Sequence, residues 1–168
     1  MSDDSDEAGG DRTLADLRTV ADYQFGAGAG EALFPSDAEA ELTVTRSTSG
    51  RPRQIRAPAG RLVSYGTDGR FTLGHAGGVR LAAASESPAN RVVVGDESEP
   101  FVRDGKNAFA KFVTDVDPDV RPGDEVAVVT PDDTVVATGR AELSADAMLD
   151  FETGMAVHVR EGAGPREE

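Results

Sequence analysis

Residues 121–129 read RPGDEVAVV, and this stretch decides the fold of the second half of the chain. Its Pro-Gly-Asp triplet is a typical turn sequence, and the apolar residues behind it predict a short buried strand. A second apolar run, residues 135–137, follows the turn sequence Pro-Asp-Asp at residues 131–133. Two short strands joined by a tight turn indicate a sheet with antiparallel neighbours.

Short strands and helices alternate on both sides of this stretch. Apolar runs predict further strands at residues 92–94, 109–113 and 157–159. Helices are predicted after the cap residues Ser98 and Ser144, and a glycine follows each of them. About five short strands with two helices between them favour a small closed or half-closed barrel that is capped by helices.

The first half of the chain predicts a small sheet with one or two helices. Apolar residues at helical spacing predict a helix over about residues 14–22. Alternating apolar residues and hairpin turns predict strands from residue 42 onward, and the last of them runs through Val79 and Leu81 after a Gly-Gly turn.

The chain therefore divides into two small domains with polar ends. Residues 1–11 and 163–168 are rich in Asp, Glu, Gly and Ser or Pro, which predicts disordered tails. A polar stretch before residue 89 marks the boundary. We expect an α+β protein in which a small N-terminal sheet-plus-helix domain, residues 12–88, is followed by a pseudo-barrel capped by helices, residues 89–162.

The composition excludes several classes of site. Cysteine is absent, so disulfides, Cys-ligated zinc, iron–sulfur clusters and thiol nucleophiles are ruled out. His75 and His158 lie far apart with no motif around either, which favours structural histidines. The glycine run at residues 26–30 lacks the Lys-Ser/Thr ending of a phosphate loop. We therefore expect a protein that is not an enzyme and that holds no metal and no cofactor.

No apolar run approaches the roughly 20 residues of a membrane span, and the acidic N-terminus does not resemble a signal peptide. We expect a cytoplasmic protein with no membrane partner. The formal net charge of −14, with acids spread along the chain and only two lysines, is typical of proteins that stay soluble in concentrated salt. We therefore expect a halophilic source.

The arginines depart from this acidic background. Residues 42–80 contain seven arginines and one acid, a local charge of +6. Arginine matches phosphate oxygens with a fork of donors, which favours a nucleic-acid partner. Pairing with acids from elsewhere in the fold is the alternative, and charge alone does not decide between the two.

Both lysines lie close together in the second domain. Lys106 and Lys111 follow Arg103 and flank Asn107 at the predicted junction of helix and strand. Gly105 permits a close backbone approach there, and a lysine ammonium is a point charge that suits phosphate. This junction is therefore a second candidate for phosphate contacts.

The second domain resembles the PUA domain, a family of small RNA-binding pseudo-barrels. The resemblance lies in residues 91–94, 100–113, 117–126, 137–141 and 154–160. The segments DLRTVADYQFG, SGRPR and DGRFTL, at residues 16–26, 49–53 and 68–73, resemble the domain before the PUA domain in archaeal tRNA-guanine transglycosylase and archaeosine synthase proteins. The catalytic barrel of those enzymes and its zinc site are missing.

This resemblance implies the RNA-gripping end of a tRNA-modification protein. In PUA domains RNA lies against the first helix, the following strand and the last strand. The matching residues here are Arg103, Gly105, Lys106, Asn107, Lys111, His158 and Arg160, with Arg51 and Arg53 as further candidates in the first domain. The expected partner is structured RNA, either tRNA or rRNA. An accessory subunit of a tRNA-modifying enzyme and a protein-interaction module are the alternatives.

The acidic charge predicts how stability depends on salt. With 31 acids against 17 basic residues, self-repulsion should weaken the fold until salt screens it, because the screening length falls to about 3 Å at 1 M salt. We expect the melting temperature, followed by circular dichroism, to rise from low to molar salt. A flat melting temperature over this range would rule out halophilic adaptation.

Overall fold

The computed structural model describes the backbone of residues 2–165 and the side chains of residues 13–165. It contains two sheets and five α-helices within this range, in an α+β arrangement that confirms the predicted fold class. No helix in the described part of the chain is long and apolar enough to cross a membrane.

The first sheet is antiparallel, with its four strands in chain order. Its strands are β1 (Thr43–Arg46), β2 (Pro52–Ala57), β3 (Gly60–Tyr65) and β4 (Phe71–Leu73). Three helices accompany it: α1 (Ser2–Phe25), α2 (Ala29–Leu33) and α3 (His75–Ala84). Leu14, Leu17 and Ala21 of α1 are buried in the same apolar core as Ile55 and Val63 of the sheet. The apolar face of helix α1 thus packs against the apolar face of the sheet in one core.

Two elements of this domain differ from the sequence prediction. Helix α1 begins at Ser2 and ends at Phe25, whereas a disordered tail was predicted over residues 1–11 and a helix over about 14–22. Once a helix has formed, each added residue gains a hydrogen bond, so extension is easier than initiation. Met1 and residues 166–168, part of the predicted tails, lie outside the described residues.

The predicted strand through Val79 and Leu81 is wrong, because these residues lie in helix α3. Two glycines near its start lower the intrinsic helix propensity, and packing against both sheets outweighs that loss.

The second sheet is a nearly closed barrel with the strand order β6-β10-β9-β8-β5-β7. Its strands are β5 (Arg91–Val94), β6 (Ala108–Phe109), β7 (Val113–Val116), β8 (Glu125–Val129), β9 (Val135–Ala141) and β10 (Met155–Gly162). The two edge strands β6 and β7 are joined only through the 3₁₀ turn Ala110–Phe112. Four Cα–Cα steps span at most about 14 Å, whereas the edges of a flat six-stranded sheet would lie about 24 Å apart. The sheet must therefore curl until its edges meet.

This closure corrects the prediction of one strand over residues 109–113. The N–H of Ala110 donates to the carbonyl of Gly154 at 2.9 Å, and Ala110 is buried, so the chain turns inward at this point. The predicted helices are confirmed as α4 (Glu99–Arg103) and α5 (Ala145–Asp150). The Ser144 side chain accepts from the N–H of Ala147, as the cap prediction requires. The cap prediction for Ser98 is wrong, because its hydroxyl donates to the carbonyl of Gly95 and accepts no N–H of the helix.

Helix α3 lies between the two sheets. A Cβ at position 77 would lie 2.0 Å from the carbonyl oxygen of Leu62 in β3. A Cβ at position 78 would lie 2.5 Å from Cγ2 of Thr138 in β9. The two adjacent glycines therefore let the backbone of helix α3 pack directly against β3 of the first sheet and β9 of the second.

Replacing Gly77 with alanine should destabilise the protein. Alanine gains about 1 kcal/mol in helix propensity, but its Cβ would meet a backbone carbonyl that cannot move aside. We expect a net loss of about 1–3 kcal/mol, the usual range for overpacking, measured by urea denaturation at fixed salt. Val79→Ala on the exposed side of the same helix is the matched control and should stay within about 0.5 kcal/mol. Equal stability of Gly77→Ala and the wild type would contradict the close packing.

Candidate nucleic-acid interface

The two lysines lie at opposite ends of strand β6, and both are exposed. The segment that carries Lys106 is held to β10 by Asn107, whose Oδ1 accepts from the N–H of Val159 at 3.0 Å. The segment that carries Lys111 is held near the start of β10 by the bond from Ala110 to Gly154. The two anchors therefore hold opposite ends of the segment between the lysines, one within β10 and one just before it. The lysines thus border one edge of the barrel rather than forming one cluster.

Two of the arginines that were predicted to contact RNA form ion pairs within the protein. Arg103 Nε donates to Oε2 of Glu99 at 2.7 Å, and both side chains are largely buried. Arg160 binds both carboxylate oxygens of Glu125, at 2.5 and 2.9 Å. Glu125 is itself buried and also accepts from the N–H of Leu73, in the first sheet, at 2.8 Å. These guanidinium groups order the barrel and its junction with the first domain.

Gly105 and His158 both lie exposed at the protein surface. Gly105 has a φ of +93°, and a Cβ built on it would meet nothing within 4 Å. On the inner side of this turn, Gly162 of β10 packs against the backbone of residues 103–105. His158 is exposed on β10 and lies opposite Arg140 of β9. The turn, the lysine that follows it and the outer face of β10 therefore form one continuous edge.

The candidates in the first domain have different surroundings. The Arg51 guanidinium lies 4.5 Å from the centroid of the Tyr65 ring and donates to the carbonyls of Tyr65 and Gly66. The Arg53 side chain is exposed and makes no hydrogen bond or ion pair within the described part of the chain. Arg51 orders the end of the sheet, whereas Arg53 is free to meet a ligand.

The seven arginines of residues 42–80 can now be sorted by their partners. Two of them form ion pairs, Arg61 with Glu161 at 3.2 Å and Arg70 with Asp124 at 3.7 Å. Among the residues whose side chains are described, no carboxylate lies within ion-pair distance of the other five, which are Arg46, Arg51, Arg53, Arg56 and Arg80. Intramolecular pairing therefore explains only a minority of the arginine cluster.

Strands β1 to β4 contain no aspartate or glutamate. The face of this sheet away from the core carries Thr43, Thr45, Gln54 and Arg56, and Arg46 and Arg53 are exposed at its end. Sequence reasoning did not select Arg46 and Arg56 as site residues. The strand alternation that places Ile55 in the core also places Arg56 outside, and that signal could have identified it.

Comparison with known proteins follows the division into two sheets. The patch-forming domain C2 of tRNA-guanine transglycosylase matches residues 15–88, and the PUA domain matches residues 90–163. The chain therefore carries a C2 domain of the tRNA-guanine transglycosylase type followed by a PUA domain.

The relatives of this C2–PUA chain are much longer than it is. It is 47% identical over 147 residues to the tRNA-guanine(15) transglycosylase of Methanothermobacter thermautotrophicus and 49% identical over 147 residues to that of Thermococcus kodakarensis. These matches cover 87% of this chain but only 22% and 24% of the relatives. The chain thus spans less than a quarter of the curated relatives that it matches.

Solved structures share the fold. A hypothetical protein from Pyrococcus horikoshii superposes with a TM-score of 0.65 at 19% identity, covering 90% of each chain. A conserved PUA domain protein from Thermoplasma acidophilum superposes with a TM-score of 0.52 at 23% identity, covering 79% of this chain and 83% of that one. At this level of identity the similarity establishes the arrangement of the two domains' elements and nothing about ligands.

His75 lies at the junction of the C2 and PUA domains. Its backbone N–H donates to Oε1 of Glu161 at 3.1 Å, and its Nδ1 is buried without a hydrogen-bond partner in the described structure. Burial lowers the pKa of His75, against the opposing effect of Glu161. The imidazole is therefore neutral at pH 7 and does not add to the positive surface. No group of three or more His, Asp or Glu side chains in the described range could hold a metal ion.

Arg160→Ala should separate a structural role from a surface role. Removing this arginine leaves the buried carboxylate of Glu125 without its cation, which typically destabilises a protein by about 3 kcal/mol. Lys106→Ala removes an exposed cation with no partner in the described structure and should change stability by about 0.5 kcal/mol or less. Urea denaturation of both variants at one salt concentration measures the difference. Equal stability of the two would show that the Glu125 pair does not support the fold.

Proposed function

We propose that this protein binds structured RNA, tRNA or rRNA, chiefly through phosphate contacts, and that it does not itself modify a base. The proposal rests on the exposed arginines of the C2 sheet, which are Arg46, Arg53 and Arg56. In a chain with a net charge of −14, this sheet keeps exposed arginines that no described carboxylate neutralises. An acidic protein that needed no anionic partner could neutralise each of these arginines with one neighbouring carboxylate.

Arginine suits this role in both charge and geometry. Its planar guanidinium binds two phosphate oxygens at once, and it can also stack on an exposed base. Arg53 and Arg56 lie on strand β2, and Arg56 lies opposite the exposed Thr43 of β1. Hydroxyl groups donate to phosphate and sugar oxygens and commonly fix the register of a nucleic acid.

The edge formed by the turn at residues 103–107 and the outer face of β10 supplies a second line of contacts. We propose that Lys106, Lys111, Gly105 and His158 face the RNA directly. Arg103, Asn107 and Arg160 act as positioning residues, because their polar atoms already hold the 103–107 turn and β10 in place. In the C2 domain Arg53 contacts RNA, and Arg51 positions the end of the sheet.

The relatives indicate the setting of this RNA binding. They are named tRNA-guanine(15) transglycosylases, and the chain matches less than a quarter of each. We propose that the protein works with tRNA modification, alone or as the RNA-gripping subunit of a modifying enzyme, in the cytoplasm of a salt-adapted archaeon. A co-purified catalytic subunit would favour the subunit alternative over independent action.

Charge reversal on the two surfaces tests the proposal. We expect Lys106→Glu with Lys111→Glu to weaken binding to total tRNA roughly tenfold or more, and to reduce the salt slope of the affinity by about 2. Arg53→Glu and Arg56→Glu should each weaken binding, whereas Arg121→Glu, an exposed arginine outside both surfaces, is the matched control. Filter binding or fluorescence anisotropy at several salt concentrations measures the affinities.

The outcomes separate the alternatives. If both surfaces tolerate reversal as well as Arg121 does, the protein is not an RNA binder of this kind and the protein-interaction hypothesis gains. If only the lysine pair tolerates it, the C2 sheet alone is the RNA surface. Base exchange in tRNA by the purified chain would overturn the non-catalytic assignment.

A further inference from the structure

One large groove in the described part of the protein has the wrong charge for RNA. It encloses about 890 Å³ between helix α4 and the turn after β8. Its apolar surface is formed by Pro100, Phe101, Pro131 and Pro165, and its rim carries Asp96, Asp104 and Asp132. A groove of this size can enclose a few side chains of a bound chain.

Phe101 is the prominent apolar group of this groove. Its side chain is 62% exposed, although it lies on a helix whose next residue, Val102, is buried in the barrel core. Tyr23, Phe109 and Phe151 are also exposed, but of these four aromatic residues only Phe101 lines this groove. Exposed apolar surface with a polar rim is the usual form of an interaction site.

The rim carboxylates are not neutralised within the described structure. Asp96, Asp104 and Asp132 are exposed, and none of them forms an ion pair with a described side chain. The cation that lines the groove, Arg103, binds Glu99. The Thr130 hydroxyl donates to Asp132 and lowers the pKa of that carboxyl, so the side chain stays ionised.

This arrangement repels phosphate and attracts cations. A nucleic acid laid across the groove would bring its phosphates against three carboxylates that no described cation pairs with, an unfavourable juxtaposition of like charges. An arginine side chain finds the opposite conditions. Its guanidinium can lie over the Phe101 ring while it donates to a rim carboxylate, and aromatic and arginine side chains are the groups most enriched at the centres of protein interfaces.

We infer that the groove at Phe101 docks an arginine-bearing segment of a partner protein, on the face of helix α4 that lies beside the turn carrying Lys106. The inference does not depend on RNA binding, because it rests on the shape and charge of this groove alone. It identifies the partner by chemistry: an exposed basic segment with an apolar residue beside the arginine.

A titration of the isotope-labelled full chain tests this inference. The probe is the peptide acetyl-Arg-Leu-Arg-amide, compared with acetyl-Glu-Leu-Glu-amide and a short oligouridylate at equal ionic strength. We expect saturable amide shifts centred on residues 96–104 and 131–133 with the arginine peptide only. Asp96→Lys with Asp104→Lys should weaken that binding roughly tenfold or more. Asp119→Lys with Asp150→Lys, an equal change of net charge at exposed carboxylates outside the groove, is the matched control.

Three results would overturn the inference. They are the absence of saturable shifts with the arginine peptide, equal weakening by the control pair, and shifts of the same amides with oligouridylate. The last result would make the groove part of the RNA surface. RNA affinity of the Asp96→Lys, Asp104→Lys variant, measured separately, should not fall, so failure of the docking inference and failure of the RNA proposal remain distinguishable.

Discussion

The arrangement of the two domains depends on the packing of helix α3 at Gly77 and Gly78. Without side chains at these positions, one turn of the helix touches the Leu62 carbonyl on one side and Thr138 on the other. The same contact brings the edge of the C2 sheet to the barrel, where the Thr138 hydroxyl donates to the Leu73 carbonyl at 3.1 Å and Glu125 accepts from the Leu73 N–H. Since Glu125 also holds Arg160, the last barrel strand is ordered by the same junction.

This junction explains why arginines of similar appearance in the sequence have different roles. Arg61 and Arg70 belong to the C2 domain, and both pair with carboxylates of the PUA domain, so they connect the two domains. Arg53 and Arg56 lie on strand β2, where the surrounding strands provide no acid at all. The acidic background makes this contrast informative, because in a chain so rich in carboxylates an unpaired arginine requires that acids be kept away from it.

Sequence reasoning predicted what depends on local patterns and missed what depends on distant contacts. The turn at residues 122–124 and the cap at Ser144 follow from short-range chemistry, and the structure has them. The helix at Gly77 and the turn at Ala110 are set by packing against residues far along the chain, so their own sequences suggested strands. The engagement of Arg160 by Glu125 spans 35 residues, and no spacing rule connects two such positions.

High salt weakens the attraction between a lysine and a phosphate more than it weakens the direct contacts of an arginine. At molar salt the screening length is about 3 Å, so charges act only on groups that they nearly touch. Long-range attraction between a lysine and a phosphate is then lost, but bidentate arginine bonds and contacts with aromatic rings persist at short range. A chain with 15 arginines, two lysines and an exposed phenylalanine in an acid-rimmed groove therefore retains the interactions that survive concentrated salt. Under the proposal that the protein works in concentrated salt, the use of arginine rather than lysine on the C2 sheet and the placing of Phe101 beside carboxylates answer the same constraint. Recognition must then be made by direct contact, because charge no longer acts at a distance.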